Sequence, residues 1–378
     1  MHPGPHHEVA NLHVAPGELS FEAGIDGRFQ QVWFHSQTPV VPSADAALAA
    51  CLMPAMQTGG TLELSEPVSP RLLRTQREFQ AVQRAWSLEW EFGDPPLQEV
   101  EVVAPTRVPQ PPAAPGRVAA FFSGGVDSWS TVLANPDITD LIFVRGIDLM
   151  PKLAHQAGLA DRVEERLREA AAELGLPLHV VETNLRELSD PLARWETYYG
   201  CAVAAVALFL SPLFERVLIA GDSDYEVQGR LGANWMVDQL WSTERLEIVD
   251  DGGRRSRLQR LAAIAGHPLV QRTLRVCWEN PQGAYNCGRC RKCLMTMIGL
   301  EVLGARRRIA TFPPDLDLDA VKAIEISAAA LLPLWEDLLD GARAARRPDL
   351  ERVLETVVSG GRRRLGLPPG HRRRRTPG

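Results

Sequence analysis

The stretch VAAFFSGGVDS, residues 118–128, decides the fold. Its first five residues form an uninterrupted apolar run, as in a strand that is buried on both faces of a parallel sheet. Two adjacent glycines then permit a sharp turn, and a helical pattern begins directly after them. The order of strand, glycine turn and helix predicts a ligand-binding turn at the carboxyl end of a parallel strand.

Further apolar runs repeat the strand pattern downstream of this stretch. They are LIFV (141–144), LHVVE (178–182) and VLIA (217–220). Between the first two of these, apolar residues recur at helical spacing and stop at Gly175, a residue typical of helix ends. Strands that alternate with helices predict right-handed crossovers. The expected fold class is α/β, with a Rossmann-like parallel sheet.

The residues before this region have a different pattern, which divides the chain. Short strands are predicted at 19–24, 30–36, 61–67 and 97–103, and helices near 46–57 and 72–86. The proline-rich stretch 105–117 predicts a linker. We therefore expect an N-terminal α+β module of residues 1–115 and a central domain of residues 116–312. A helical extension should follow at 313–378, with a basic disordered tail because 361–375 lacks apolar periodicity.

Composition limits the classes of function. The chain has 378 residues, of which 45% are hydrophobic, and a net charge of −6. A mildly acidic protein is not a bulk nucleic-acid binder, although a local basic patch stays open. The first residues lack the basic and apolar regions of a signal peptide, and the apolar stretch 201–210 is too short to cross a bilayer. The expectations are a cytoplasmic location, no membrane contact and no nucleic acid as the main partner.

The loop after the first strand has the chemistry of an anion site. The glycines bring backbone N–H groups close to a ligand, and the helix start adds further N–H groups and a positive dipole. The expected phosphate-binding residues are Ser123, Gly124, Gly125, Val126, Asp127 and Ser128. A carboxylate in such a cup would repel phosphate, which predicts Mg²⁺ beside Asp127. Asp127 and Ser128 are the catalytic candidates.

The motif SGGVDS (123–128) resembles that of the PP-loop ATP pyrophosphatases. It is neither a Walker A loop, since no lysine follows the glycines, nor the dinucleotide fingerprint. The resemblance covers roughly residues 117–300. It implies an adenine nucleotide alpha-hydrolase type of fold, and ATP as the cofactor, cleaved between its α- and β-phosphates through an adenylylated intermediate.

Four cysteines crowd into VCWENPQGAYNCGRCRKC, residues 276–293. They are Cys277, Cys287, Cys290 and Cys293. Four closely spaced thiolates can surround a Zn²⁺ ion, and a closed site of this kind has a structural role. An iron–sulfur cluster is the second interpretation, because C-x2-C-x2-C also occurs in ferredoxin-type sites. A cluster without metal is the third.

The cysteine spacing narrows the resemblance to the 7-cyano-7-deazaguanine synthase-like group. In that group a cysteine is followed about ten residues later by C-G-x-C-x-x-C, which Cys277 and the segment 287–293 match. The resemblance implies adenylylation of a carboxylate, then attack by ammonia or an amine. The chain departs from the group at 145–150 and 221–249 and in its N-terminal module. The acceptor therefore stays open between a small-molecule carboxylate and a protein, and a homodimer stays open as well.

Other polar and aromatic residues follow the predicted strands. Asp148 and Asp222 come after the second and fourth strands, where a ligand site is expected, and both are candidate cofactor-binding residues. Arg186 is a candidate partner for phosphate or an ordinary surface arginine. The aromatic residues Trp195, Tyr198 and Tyr199 are better explained by core packing than by stacking on a base.

Two other functions stay open besides adenylylation of a carboxylate followed by nitrogen attack. One is a PP-loop sulfur-transfer enzyme acting on tRNA or a small molecule, which needs a catalytic cysteine pair or a cluster. Cys201 is the only cysteine outside the cluster in the central domain, which counts against a dithiol mechanism. The other is a non-catalytic nucleotide-binding subunit of a larger complex, which would bind ATP without forming AMP.

Overall fold

The computed structural model describes residues 4–90, 94–112, 114–150, 153, 156–221, 224–225 and 229–369. Two compact units divide the chain. The first comprises residues 1–222 and 229–253, and the second comprises residues 223–228 and 254–378.

The first unit is built on one large, mostly parallel sheet. Its strands are β1 (His6–Ala15), β2 (Glu18–Ile25), β3 (Arg28–Ser36), β4 (Gly60–Leu64), β5 (Val100–Val103), β6 (Val118–Phe121), β7 (Asp140–Arg145), β8 (Leu178–Thr183), β9 (Arg216–Ala220) and β10 (Glu247–Asp251). Their spatial order is β10-β9-β6-β7-β8-β3-β2-β1-β4-β5. The pairs that involve β2 or β3 are antiparallel, and the others are parallel. The chain is therefore an α/β protein, as predicted.

Helices connect these strands. They are α1 (Asp45–Ala55), α2 (Pro70–Ser87), α3 (Val126–Ala134), α4 (Ala157–Leu174), α5 (Leu185–Ser189), α6 (Trp195–Phe209) and α7 (Trp235–Asp238). The predicted stop at Gly175 is confirmed, because this residue caps α4 with φ of 72°. Helices α1 and α6 are buried over nearly their whole lengths and pack against each other in the core.

The strands predicted around 118–122, 141–144, 178–182 and 217–220 are all present, as β6 to β9. Two strands were not predicted. Half of the residues in β1 are apolar, but a register shift between Ala10 and His13 interrupts their alternation. Strand β10 combines two apolar residues with three acidic ones, so neither strand shows a clear pattern. The linker predicted at 105–117 contains no helix or strand among its described residues, apart from one bridge between Thr106 and Val68.

Strands from the predicted module of residues 1–115 share the sheet of the predicted central domain. The junction is the antiparallel pair of β3 and β8. Asn184 continues this pairing beyond the end of β8, since its side-chain oxygen accepts from the Trp33 N–H at 2.9 Å and its amide donates to the Gln31 carbonyl at 2.7 Å. The Asn184 side chain thus makes the two hydrogen bonds that another residue's backbone would make.

The second unit is helical around a separate apolar cluster. Its helices are α8 (Arg257–Ile264), α9 (Pro268–Thr273), α10 (Arg291–Val302), α11 (Leu318–Lys322), α12 (Leu332–Ala344) and α13 (Pro348–Arg364). The prediction of disorder from residue 361 is wrong over its first residues, because α13 runs to Arg364. Gly361 packs against Ile326, and Arg362 pairs with Glu336, contacts that the sequence pattern does not show. Residues 370–378 of the predicted tail lie outside the described residues.

None of the helices in the described ranges combines the length and apolar character needed to cross a bilayer.

Candidate functional site

The predicted anion loop lies where the strand order of the sheet reverses. Strands β7 and β8 lie on one side of β6, and β9 and β10 lie on the other. Chains leaving the carboxyl ends of β6 and β9 therefore diverge into connections on opposite sides, which opens a crevice at this edge. The segment 122–125 leaves β6 at this point and leads directly into α3.

The glycines in this segment shape its turn. Gly124 has φ of 75°, a left-handed conformation that other residues adopt at a cost. Gly125 is the N-cap of α3, in an extended conformation, and no side chain caps this helix start. The first N–H groups of α3 therefore lack the side-chain acceptor that usually satisfies them at a helix start. The turn and the helix start together form a backbone cradle suited to an anion.

Two serines frame the cradle. The Ser128 hydroxyl donates to the Gly125 carbonyl at 3.2 Å and lies 3.5 Å from the Ser123 hydroxyl. Ser123 is exposed, whereas Ser128 is buried in the first turn of α3. Asp127 is half-buried in the same turn, where the positive end of the helix dipole favours its carboxylate. The structure thus brings all six predicted loop residues, 123–128, into one short turn.

Acidic residues that sequence reasoning missed lie at the same edge. Strands β6 and β9 pair in parallel up to Ala120 and Leu218, so the segments that contain Ser123 and Gly221 leave the sheet at the same edge. A Cβ atom on Gly221 would lie 2.8 Å from the Asp250 carboxylate, so this carboxylate lies directly against the Gly221 backbone. Asp250 belongs to β10, and it was not predicted as a site residue because β10 itself was not recognised.

The neighbouring Asp251 connects this edge to α3. Its carboxylate accepts from the Thr131 hydroxyl at 2.8 Å and from the Asn135 amide at 3.2 Å. Its carbonyl accepts from the Gly221 N–H at 2.7 Å. These bonds fix the helix that begins at the cradle against the ends of β9 and β10.

Asp148 and Asp222 are the other acidic residues that the sequence predicts for the nucleotide site. Asp148 is exposed on the loop after β7, the strand adjacent to β6. Asp222 lies outside the described residues.

The aromatic residues of α6 have mixed environments. Tyr198 is fully buried, and its hydroxyl donates to the Ala50 carbonyl at 2.9 Å, in agreement with the packing interpretation. Trp195 is half-buried, and the Arg186 guanidinium stacks on its ring at 4.2 Å. Arg186 also pairs with Asp190 at 2.6 Å and donates to the Ile147 carbonyl at 3.2 Å. Arg186 is therefore held in place by protein groups.

The four clustered cysteines of the second unit form a candidate metal centre. Their sulfur atoms all lie within 4.8 Å of one another. The Cys277–Cys290 and Cys287–Cys293 pairs are 3.8 and 3.9 Å apart. Zinc–sulfur bonds of about 2.3 Å in a tetrahedron require sulfur–sulfur separations of about 3.8 Å, so the four thiols fit a metal ion such as zinc.

Backbone N–H groups point at the sulfurs and orient them. Cys287 accepts from the N–H groups of Arg289 at 3.4 Å and Cys290 at 3.2 Å. Cys277 accepts from the Asn280 N–H at 3.3 Å. Gly288 makes the turn with φ of 70°, and a Cβ there would lie 2.7 Å from the Pro313 ring. Such hydrogen bonds partly neutralise thiolate charge and hold the ligands in position.

The protonation of the cluster is uneven. Hydrogen bonds from the Cys290 and Cys293 thiols lower the pKa of Cys277 far below its usual value. The hydrogen bond with Cys277 in turn raises the pKa of Cys290 to about 12. Metal binding displaces thiol protons, so a bound cation would favour the thiolate form of all four cysteines.

Comparison with protein-family models, with curated proteins and with solved structures found no match to the chain.

Proposed function

We propose that the chain binds ATP at residues 123–128 and adenylylates a carboxylate or carbonyl substrate, with release of pyrophosphate. The observation that carries the proposal is the cradle itself, a left-handed glycine turn joined to a helix start without a side-chain cap, at the point where the strand order reverses. It supplies several N–H donors to one anion and no lysine, which suits a pyrophosphate group gripped as a unit.

Each loop residue has a role in this proposal. Gly124 and Gly125 present N–H groups to the β- and γ-phosphates, and the hydroxyls of Ser123 and Ser128 add donors. Asp127 would hold Mg²⁺, and the ion would neutralise the charge between its carboxylate and the phosphates. Asp148 and Asp222, after β7 and β9, are proposed to contact the nucleotide or its metal ion. None of these residues acts as a covalent nucleophile.

The reaction follows from the grip on pyrophosphate. A substrate oxygen attacks the α-phosphorus of ATP, the bond to the β-phosphate oxygen breaks, and pyrophosphate leaves with Mg²⁺. A nitrogen nucleophile, ammonia or an amine, then attacks the activated carbon and displaces AMP. The loop accelerates the first step by stabilising the charge that develops on the leaving group.

Zinc is the metal proposed for the cysteine cluster. Thiolates this close enclose a single ion, whereas an iron–sulfur cluster inserts several atoms between its cysteines and separates them. With four protein ligands the site has no open position for substrate. Its proposed role is to fix the loop 277–290 to the start of α10.

Burial counts against the sulfur-transfer alternative. Cys201 is fully buried, and burial raises the pKa of its thiol far above the usual value. A thiol of this kind is a poor nucleophile, because the reactive species is the thiolate.

The test follows the products of ATP. The purified protein is incubated with Mg·ATP and ammonium, with and without 7-carboxy-7-deazaguanine, and AMP and pyrophosphate are separated by chromatography. Substrate-dependent AMP, abolished in Asp127→Ala and retained in Cys201→Ser, is the expected result. AMP formed only with other carboxylates would change the acceptor and keep the chemistry, whereas ADP as the product would refute the proposal.

A further inference from the structure

Basic residues are concentrated in one part of the second unit. Residues 254–312 contain twelve arginines and lysines against two glutamates, a net charge of +10 in a chain whose net charge is −6. The remaining residues therefore carry −16. Arg260, Arg275 and Arg306 are buried, and the other nine cations are exposed or half-exposed. An asymmetry of this size within a folded protein is typical of a region that binds a polyanion.

Part of this charge surrounds the cysteine cluster. Arg289 lies between Cys287 and Cys290 and Lys292 directly precedes Cys293, and both side chains are exposed. Because the four sulfurs lie within 4.8 Å of one another, residues adjacent to the cysteines lie around a single point.

A second group of arginines is joined to the same place by backbone contacts. The Asn286 amide, next to Cys287, donates to the Thr311 carbonyl at 3.2 Å, and the Ala310 N–H donates to the Gln271 carbonyl at 2.9 Å. These bonds bring the chain around residues 307–310 and the end of α9 alongside the cysteine loop. The exposed basic residues on these two segments are Arg272, Arg307 and Arg308.

An exposed aromatic ring lies within this basic region. Trp278 follows Cys277 directly, and 50% of its surface is accessible. Exposing an indole costs hydrophobic free energy, and a half-exposed ring beside the cysteine cluster that Arg289 and Lys292 also adjoin matches the stacking platforms that bind unpaired bases. We call the set of exposed residues the knuckle surface: Arg272, Trp278, Arg289, Lys292, Arg307 and Arg308.

We propose that the knuckle surface binds single-stranded nucleic acid, with the cations on phosphates and Trp278 stacked on a base. The whole-chain charge predicted no such partner, because the acidic remainder of the chain masks the local excess of +10. The site is separate in sequence from the proposed ATP loop, and the inference does not depend on the ATP chemistry. An acidic protein segment would satisfy the cations but gives the exposed indole no stacking partner, so nucleic acid fits both features.

The test is fluorescence anisotropy of a fluorescein-labelled 20-nucleotide poly-dT with the full chain and its bound metal, over a range of salt concentrations. Each phosphate contact on a single strand contributes a slope of about −0.7 to log K against log salt. The variant Arg289→Gln/Lys292→Gln should therefore reduce the slope by about 1.4 and weaken binding about 25-fold at 0.1 M salt. Trp278→Leu should weaken binding about tenfold with little change in slope.

Matched variants separate this surface from general charge effects. Arg74→Gln/Arg77→Gln removes two exposed cations of α2 and should leave the affinity unchanged. A further variant tests the basic segment 372–375, with Arg372, Arg373, Arg374 and Arg375 changed to Gln. In this background, Arg289→Gln/Lys292→Gln should weaken binding by the same factor as in the wild type. Metal content is measured in every variant to confirm that the cysteine site is intact.

Three outcomes would overturn the proposal. The first is no binding at 50 mM salt, and the second is equal loss in the knuckle and α2 variants. The third is full affinity in Trp278→Leu together with equally tight binding of poly-glutamate, which would assign the surface to an acidic protein partner.

Discussion

Replacing Asp140 by Asn should make the stability of the protein less dependent on pH. Asp140 is 1% exposed at the start of β7. Its carboxylate accepts from the Thr139 hydroxyl at 2.7 Å and the Arg117 Nε at 3.1 Å, and it lies 2.8 Å from the His179 ring. Burial alone would raise its pKa, but the hydrogen bonds from His179, Arg117 and Thr139 outweigh burial and lower the pKa from 3.8 to about 2.

The sign and size of the effect follow from this shift. A carboxyl whose pKa is lower in the folded state contributes stability above its unfolded pKa and loses it as the pH falls through the folded pKa. A shift from 3.8 to about 2 corresponds to about 2 kcal/mol, of which about 1 kcal/mol should be lost between pH 5 and pH 3. The Asn variant cannot lose this contribution, because it never carries the charge.

The assay is urea unfolding of wild type and Asp140→Asn at pH 5, 4 and 3. The stability difference between the two proteins should be largest at pH 5 and should shrink by about 1 kcal/mol by pH 3. Asp137→Asn is the control, since Asp137 is exposed and lies 3.7 Å from its partner Arg216. Its effect should stay within about 0.5 kcal/mol at every pH. A difference for Asp140→Asn that is constant with pH would refute the reasoning.

Three further predictions concern packing and the cysteines. Gly200→Ala should lower the free energy of unfolding by about 2 kcal/mol, because the new Cβ would lie 2.0 Å from the Gly232 carbonyl oxygen. This loss should occur although alanine favours helices more than glycine does. The measurement is chemical denaturation, with Gly158→Ala in α4 as the control, because space around that Cβ is open. Cys290→Ser should reduce bound zinc from about one equivalent to near zero by atomic absorption, since one of four ligands is lost. Cys51→Ser should leave metal content unchanged, because Cys51 is a buried core residue outside the cluster.

The repeated βα pattern could be predicted because each element shows its own periodicity. The four strands from β6 to β9 are short apolar runs, and α4 shows an apolar face that ends at Gly175. The ligand loop could be located because its glycines stand between a strand and a helix.

Features that depend on contacts distant in sequence could not be predicted. The pairing of β3 with β8 joins residues about 150 positions apart, and Asn184 extends it with two side-chain hydrogen bonds, which no local pattern shows. The acidic pair Asp250 and Asp251 was missed because β10 has too few apolar residues to be recognised as a strand. The cysteine cluster was predicted from spacing, and the structure shows the four sulfurs together.

The positive charge of the second unit is visible in the sequence, but the net charge of the whole chain conceals it. A net charge taken over the whole chain sums +10 from residues 254–312 with −16 from the rest. The structure brings the four cysteines together, and their sequence neighbours Trp278, Arg289 and Lys292 therefore adjoin one cluster. Local charge, counted within each compact unit, is the quantity that bears on partners.

The central claim, that residues 123–128 grip the pyrophosphate end of ATP, is tested most directly by calorimetric titration with Mg·pyrophosphate, without any acceptor substrate. We predict measurable binding by the wild type and an affinity about tenfold lower in Ser123→Ala, which removes an exposed hydroxyl donor to a charged ligand. Ser359→Ala, at an exposed serine of α13, should bind as the wild type does. Absence of pyrophosphate binding, or equal affinity in wild type and Ser123→Ala, would contradict the account.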